Sequence, residues 1–116
     1  MWRIQGMREV RTVDSDSKLR SEVGALLGSG LETEVEPRAY TSELVNEIVA
    51  RLQRVAAGDL EAKLRVAGFT LHPYVSDEVD QACETCMYYL LHRKFCELPE
   101  LALPVEPTWS CKLWRI

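Results

Sequence analysis

The stretch from Thr41 to Val55 constrains the fold more than any other part of the sequence. Leu44, Val45, Ile48, Val49, Leu52 and Val55 recur at three- and four-residue spacing, with Glu43, Glu47, Arg51 and Arg54 on the other side. At 3.6 residues per turn this pattern forms one apolar stripe on a helix, with Thr41 or Ser42 as the side-chain cap. Gly58 interrupts the helix and Asp59 restarts it, Leu60 and Leu64 face inward, and Gly68 is placed as the C-terminal cap. A one-sided helical pair cannot stand alone, so the rest of the chain must supply the apolar face that covers it.

Shorter elements flank this pair. Trp2–Gln5 and Arg8–Val13 alternate as strands do, and Asp14–Ser17 reads as a turn and cap for a short helix over 18–27 carrying Leu19, Val23, Leu26 and Leu27. Leu31–Val35 alternates strictly and ends before Pro37, which predicts a strand whose carboxylates, Glu32 and Glu34, are merely solvated. Phe69–Leu71 is a short strand candidate ended by His72-Pro73. Ser76-Asp77-Glu78 opens a predicted helix to about Arg93 or Lys94, acidic at its start and basic at its end. Leu98–Pro107 contains three prolines and reads as an extended connector, and Trp109–Leu113 alternates as a final strand. Trp-Arg-Ile occurs at 2–4 and again at 114–116, which suggests two terminal strands of similar character.

The sum is a single α+β domain over 1–116, with three to four helices packed on a short, mostly antiparallel sheet; a mostly α fold is the alternative. With 47% hydrophobic and 28% charged residues the chain has the composition of a soluble globular protein. A net charge of −4 has the wrong sign for a surface that neutralises phosphates, so nucleic acid is not an expected partner. No apolar run reaches membrane-spanning length and none follows Arg3, Arg8 and Arg11 as a secretory signal would require, so a cytoplasmic protein without membrane contact is expected.

Four cysteines fall in the last third, Cys83, Cys86, Cys96 and Cys111, spaced C-x2-C-x9-C-x14-C. Thiolates are soft, strong donors, and a C-x2-C pair with two later cysteines is the broad form of zinc and iron–sulfur sites. The pattern also has a plain structural reading. On a helix advancing about 100° per residue, Val79, Cys83, Cys86 and Leu90 share one stripe, and Cys111 lies between Trp109 and Leu113 on one strand face. Reduced cysteine packs as a small hydrophobe, so core thiols, a metal centre and a redox pair all stay open.

In Cys83-Glu84-Thr85-Cys86-Met87-Tyr88, then Cys96, then Trp109-Ser110-Cys111 followed by Trp114, the order of residues resembles that of high-potential iron–sulfur proteins. The resemblance covers Cys83 to Trp114. It implies that the four cysteines are ligands of a [4Fe-4S] cluster, with Tyr88, Trp109 and Trp114 as its apolar shield. A second grouping, Cys83, Cys86, His92 and Cys96, is similar to the zinc knuckle but carries different spacing and lacks that motif's glycine.

Nucleotide-binding and hydrolase motifs are absent from the sequence, and with two histidines and no nucleophile–base pair an enzyme is not supported. Glu32 with Glu34, and Asp77 with Glu78 and Asp80, read as solvated or dipole-stabilised acids. His72 and Tyr74 on a loop, with Trp109 and Trp114 near the end, are candidates for partner contact. The expected function is therefore a non-enzymatic binding, assembly or regulatory role through protein–protein contacts, including self-association. The alternative is a four-cysteine metalloprotein, holding an iron–sulfur cluster or structural zinc, in electron transfer or sensing.

Overall fold

The structure, a computed structural model, describes residues 13–76 and 79–115. The strand expected over 2–5 lies outside the described residues, as do Ile116 and all of the strand expected over 8–13 except Val13, which opens a helix instead. Among the described residues three helices come first: α1 over Val13–Gly28, α2 over Ser42–Gln53 and α3 over Leu60–Ala67. A three-stranded antiparallel sheet follows, in the order β1 (Tyr89–Leu90), β2 (Phe95–Cys96) and β3 (Leu103–Pro104). The α+β expectation holds, and the mostly α alternative fits less well.

The helical pair forms as its sequence dictates. Thr41 caps α2 by accepting from the backbone N–H of Leu44, and Asp59 caps α3 by accepting from Ala62. Gly68 ends α3 in the left-handed region at φ 69°, where a Cβ would stand 2.4 Å from the carbonyl oxygen of Glu34. Only glycine lets the two backbones approach so closely.

Helix α1 starts earlier than the turn signal Asp14–Ser17 suggested, because those residues occupy its first turns. Its buried line runs Asp16, Arg20, Val23 and Leu27. The apolar half packs in the core, and the polar half grips the sheet. Arg20 donates from Nε to the carbonyl of Val105 at 3.2 Å and from Nη2 to those of Arg93 and Lys94 at 3.2 and 3.0 Å. Asp16 accepts two hydrogen bonds from Arg93, at 2.7 and 3.2 Å.

Five predicted elements are corrected. Residues 79–94 form no helix: Tyr74 and Gln81 exchange backbone hydrogen bonds at 2.9 and 2.8 Å, Cys83–Thr85 is one 3-10 turn, and β1 and β2 make a hairpin. The N–H groups of Cys83, Glu84 and Met87, which an α-helix would use internally, donate instead to Trp109, Pro107 and Arg115. Tertiary bonds thus override a plausible helical pattern. The strand expected over Leu31–Val35 is an extended segment without a ladder, held by single bonds from the Glu34 N–H to Arg65 and from the Thr33 hydroxyl to Phe69. The strand expected over Trp109–Leu113 pairs only at Ser110, with Thr70, and Phe69–Leu71 likewise reduces to that bridge. The connector over Leu98–Pro107 contributes β3, which pairs with β2 through Cys96↔Leu103.

Candidate functional site

The four cysteines reach one place from three segments. Cys83 opens the 3-10 turn, and Cys86 closes it by donating its N–H to the Cys83 carbonyl at 3.0 Å. Cys96 sits in β2 opposite Tyr89 of β1. Cys111 follows Ser110, which is pinned by two backbone bonds to Thr70. All four line a single small cavity with Phe69, Tyr88, Tyr89 and Trp114, a lining that contains no charged residue around a space of about 20 Å³. Trp114 is fixed over it by donating from Nε1 to the Thr85 hydroxyl at 3.0 Å.

All four thiols are free, and three of them are buried. Burial raises the Cys96 thiol to about 11 and the Cys111 thiol to about 12, and the other cysteines add repulsion. Cys83 is pushed well above its ordinary value by burial, then by Cys111, Cys96 and Cys86. These groups stay neutral near pH 7 unless a positive centre stabilises their thiolates.

The thiols border a space rather than meet at a point. Among the described residues no group of three or more His, Cys, Asp or Glu side chains is placed to hold a metal ion. Tetrahedral zinc needs four sulfurs each about 2.3 Å from one centre, whereas a cubane cluster bonds each thiolate to a different iron across a wider cage. Four thiol donors behind apolar walls are the donor chemistry that the second arrangement uses, and the space they border is about 20 Å³. His92 is exposed in the β1–β2 turn and does not line the cysteine cavity.

Other predicted residues lie elsewhere. Trp109 is buried rather than a cavity wall, with its ring 3.5 Å from where a Cβ on Gly24 of α1 would stand. His72 is exposed, its Nδ1 3.2 Å from the Pro73 carbonyl. Tyr74 donates to Glu36 at 2.5 Å and lies under the Arg38 guanidinium, 3.9 Å from carbon to ring centre. Glu34 is not merely solvated: it accepts from Arg51 at 2.6 and 2.7 Å and from buried Lys112 at 3.5 Å, and the hydrogen bonds from Arg51 lower its carboxyl to about 2.

Sequence reasoning passed over Arg38 and Phe69. Arg38 is 5% exposed and donates from Nη2 to the Cys111 carbonyl and to Gln81 Oε1, both at 2.8 Å, and to Ser110 Oγ at 3.4 Å. Burial lowers its guanidinium from the usual value. Nothing in the local pattern around Pro37-Arg38-Ala39 signals an inward-facing arginine, because its partners come from distant segments. Phe69 reads locally as a strand residue, and its place in the cavity wall depends on the loop from Gly68.

No described helix is long and apolar enough to cross a membrane. Comparison with protein-family models, curated proteins and solved structures finds no match.

Proposed function

We propose that Cys83, Cys86, Cys96 and Cys111 hold a [4Fe-4S] cluster and that the protein carries single electrons between redox partners. The observation that supports this reading is the convergence of all four thiols, from three segments, on one cavity walled by four aromatic side chains. A cluster held by Cys83, Cys86, Cys96 and Cys111 would supply one-electron exchange between a reduced and an oxidised partner protein. The chain's own residues do the rest. The cysteines give up their protons on binding, because ligation requires thiolates. Phe69, Tyr88, Tyr89 and Trp114 exclude water and keep the local dielectric low. The Cys83–Trp109 and Ser110–Thr70 backbone bonds fix the ligand-bearing segments before anything binds.

The protein–protein expectation then becomes contact with those redox partners. A binding role without a cluster is the second reading: Tyr40, Leu71, Val75, Val79, Met87 and Leu91 are exposed, three of them between 71 and 79, although single exposed apolar side chains are ordinary on protein surfaces.

The test is anaerobic reconstitution with ferrous iron and inorganic sulfide, followed by desalting. Retention of about four iron and four sulfide per chain, with visible absorbance that changes on reduction, is expected. Loss of both on desalting, with four thiols titrating after unfolding, would overturn the reading, and so would one zinc per chain in place of iron and sulfide.

A further inference from the structure

A groove of about 400 Å³ opens between α1 and the segments around Lys94 and Trp109, and it shares no lining residue with the cysteine cavity. Helix α1 contributes Ser17, Ser21 and Gly24, whose spacing puts them on one face. Arg20 lines the groove beside them and is 9% exposed. Its guanidinium is held still, with Nε and Nη2 donating to the carbonyls of Val105, Arg93 and Lys94. Those acceptors are neutral, and among the described residues no carboxylate pairs with Arg20. Nη1 takes no part in these bonds. Among the described residues the fully buried side-chain atoms without a partner are Arg38 Nε and Tyr89 Oη, so the unused Arg20 Nη1 meets solvent. A preorganised cation with free donors is what an oxyanion site requires.

Lys94 brings a second positive charge to the groove. Its backbone sits at φ 52° without being glycine, held there by bonds to its carbonyl from Arg20 at 3.0 Å and from the Val105 N–H at 2.9 Å. Its ammonium meets Glu106 at 3.5 Å, but both side chains are close to half exposed, so a stronger anion can take Lys94 from that contact at little cost. Gly24 keeps the groove open. A Cβ there would touch the Trp109 ring at an ordinary 3.5 Å, so packing does not demand glycine, which is a poor residue inside a helix.

We infer that this groove binds a small phosphate monoester: the phosphate on Arg20 and Lys94, with the Ser17 and Ser21 hydroxyls as further donors, and a flat organic group over Gly24 against Trp109. A phosphate dianion offers three terminal oxygens to these donors, whereas a carboxylate offers two and half the charge. The acidic net charge argues against a row of phosphates, not against one.

The test is a nitrogen-edited NMR titration of the full chain, without added metal and at constant ionic strength, with inorganic phosphate, phenyl phosphate and acetate. Phosphate should give saturating shifts at the amides of Ser17, Ser21 and Lys94, phenyl phosphate should bind severalfold tighter, and acetate should bind more weakly than either. Lys94→Gln should weaken phosphate binding about tenfold. Ser21→Asp, a change at an exposed helical position, should abolish it by repulsion. Gly24→Ala should keep phosphate binding and lose the preference for phenyl phosphate, while leaving the fold at least as stable. Shifts that fail to saturate, acetate binding as tight as phosphate, or unchanged affinity in Ser21→Asp would overturn the inference, and an undiminished preference in Gly24→Ala would overturn the placement of the organic group. If Lys94→Gln does not fold, Ser21→Asp decides alone.

Discussion

The backbone N–H of Cys83 donates to the carbonyl of Trp109 at 2.6 Å, joining the start of the 3-10 turn to the segment that carries Cys111. The neighbouring Glu84 N–H repeats the pattern with Pro107 at 3.0 Å. Two cysteines distant in sequence are thereby held at one cavity by main chain, independently of what their side chains bind. Cys96 is held as firmly from the other side, by its ladder to Tyr89 and Leu103.

The apoprotein should distinguish buried from half-buried thiols. Cys111 is buried and Cys86 is only partly so. Replacing a sulfur by a hydroxyl places a strongly hydrated group in the cavity, costing about 1–3 kcal/mol when it is left without a partner. Cys111→Ser should therefore be less stable than Cys111→Ala without metal, whereas the two substitutions at Cys86 should differ little. Urea unfolding of the four variants measures this, and equal midpoints at position 111 would show that its environment is wetter than the structure indicates.

The helical pair was legible because local chemistry and tertiary structure agree there: the Thr41 and Asp59 caps and the Gly68 stop act within a few residues of themselves. The last third was not, because its backbone bonds run to distant partners. Residues 79–94 carry a helix-like arrangement of charges, yet the donors at Cys83, Glu84 and Met87 are taken from afar. Alternation misled at 109–113 for a different reason. Ser110 and Lys112 are polar and buried, on the same footing as Trp109, Cys111 and Leu113, because Arg38 and Glu34 are there to meet them. The candidate ligands could be named from spacing alone. Their convergence could not: the helical stripe expected to carry Cys83 and Cys86 does not form, and Cys83, Cys96 and Cys111 reach the hydrophobic core from separate segments.

Gly68 offers a sharp test of the packing between the end of α3 and the extended segment before α2. A side chain at φ 69° costs about 1 kcal/mol or more in backbone strain. The added Cβ also meets backbone, the Glu34 carbonyl, which cannot swing aside as a flexible side chain would. Gly68→Ala is expected to lose about 2–4 kcal/mol in urea unfolding, the upper range for a single substitution. Gly58 provides the control. It also has positive φ but open space around it, so Gly58→Ala should show the backbone strain alone.

Glu34 sets an acid-side dependence of stability. The hydrogen bonds from Arg51 lower its carboxyl from 4.5 to about 2 in the folded protein. A folded-state value below the unfolded one adds stability that is fully present above 4.5 and disappears as pH falls toward 2. The stability difference between wild type and Glu34→Gln should therefore shrink across that window. Both partners are more than a third exposed, so added salt should weaken the effect. Urea midpoints for the two proteins at several pH values check the trend, and a constant difference down to pH 2 would show that the carboxylate's charge is not what stabilises this contact.

The pair formed by Asp16 and Arg93 should respond asymmetrically to losing either member. The Asp16 side chain is 5% exposed and the Arg93 side chain 33%. Arg93→Met keeps an apolar stem near Phe95 but strips the buried carboxylate of two charge-assisted bonds, an expected loss of about 2–4 kcal/mol. Asp16→Asn leaves Arg93 able to turn toward water and keeps an oxygen that can accept, so its cost should be clearly smaller. Comparing the two variants by urea unfolding tests this, and equal losses would contradict the burial difference. The contact also joins α1 to the hairpin bearing Cys96, where Arg20 binds the Arg93 and Lys94 carbonyls. Arg93→Met should accordingly speed hydrogen exchange at the backbone amides of Phe95 and Cys96 more than at those of α2, which is capped and packed without it.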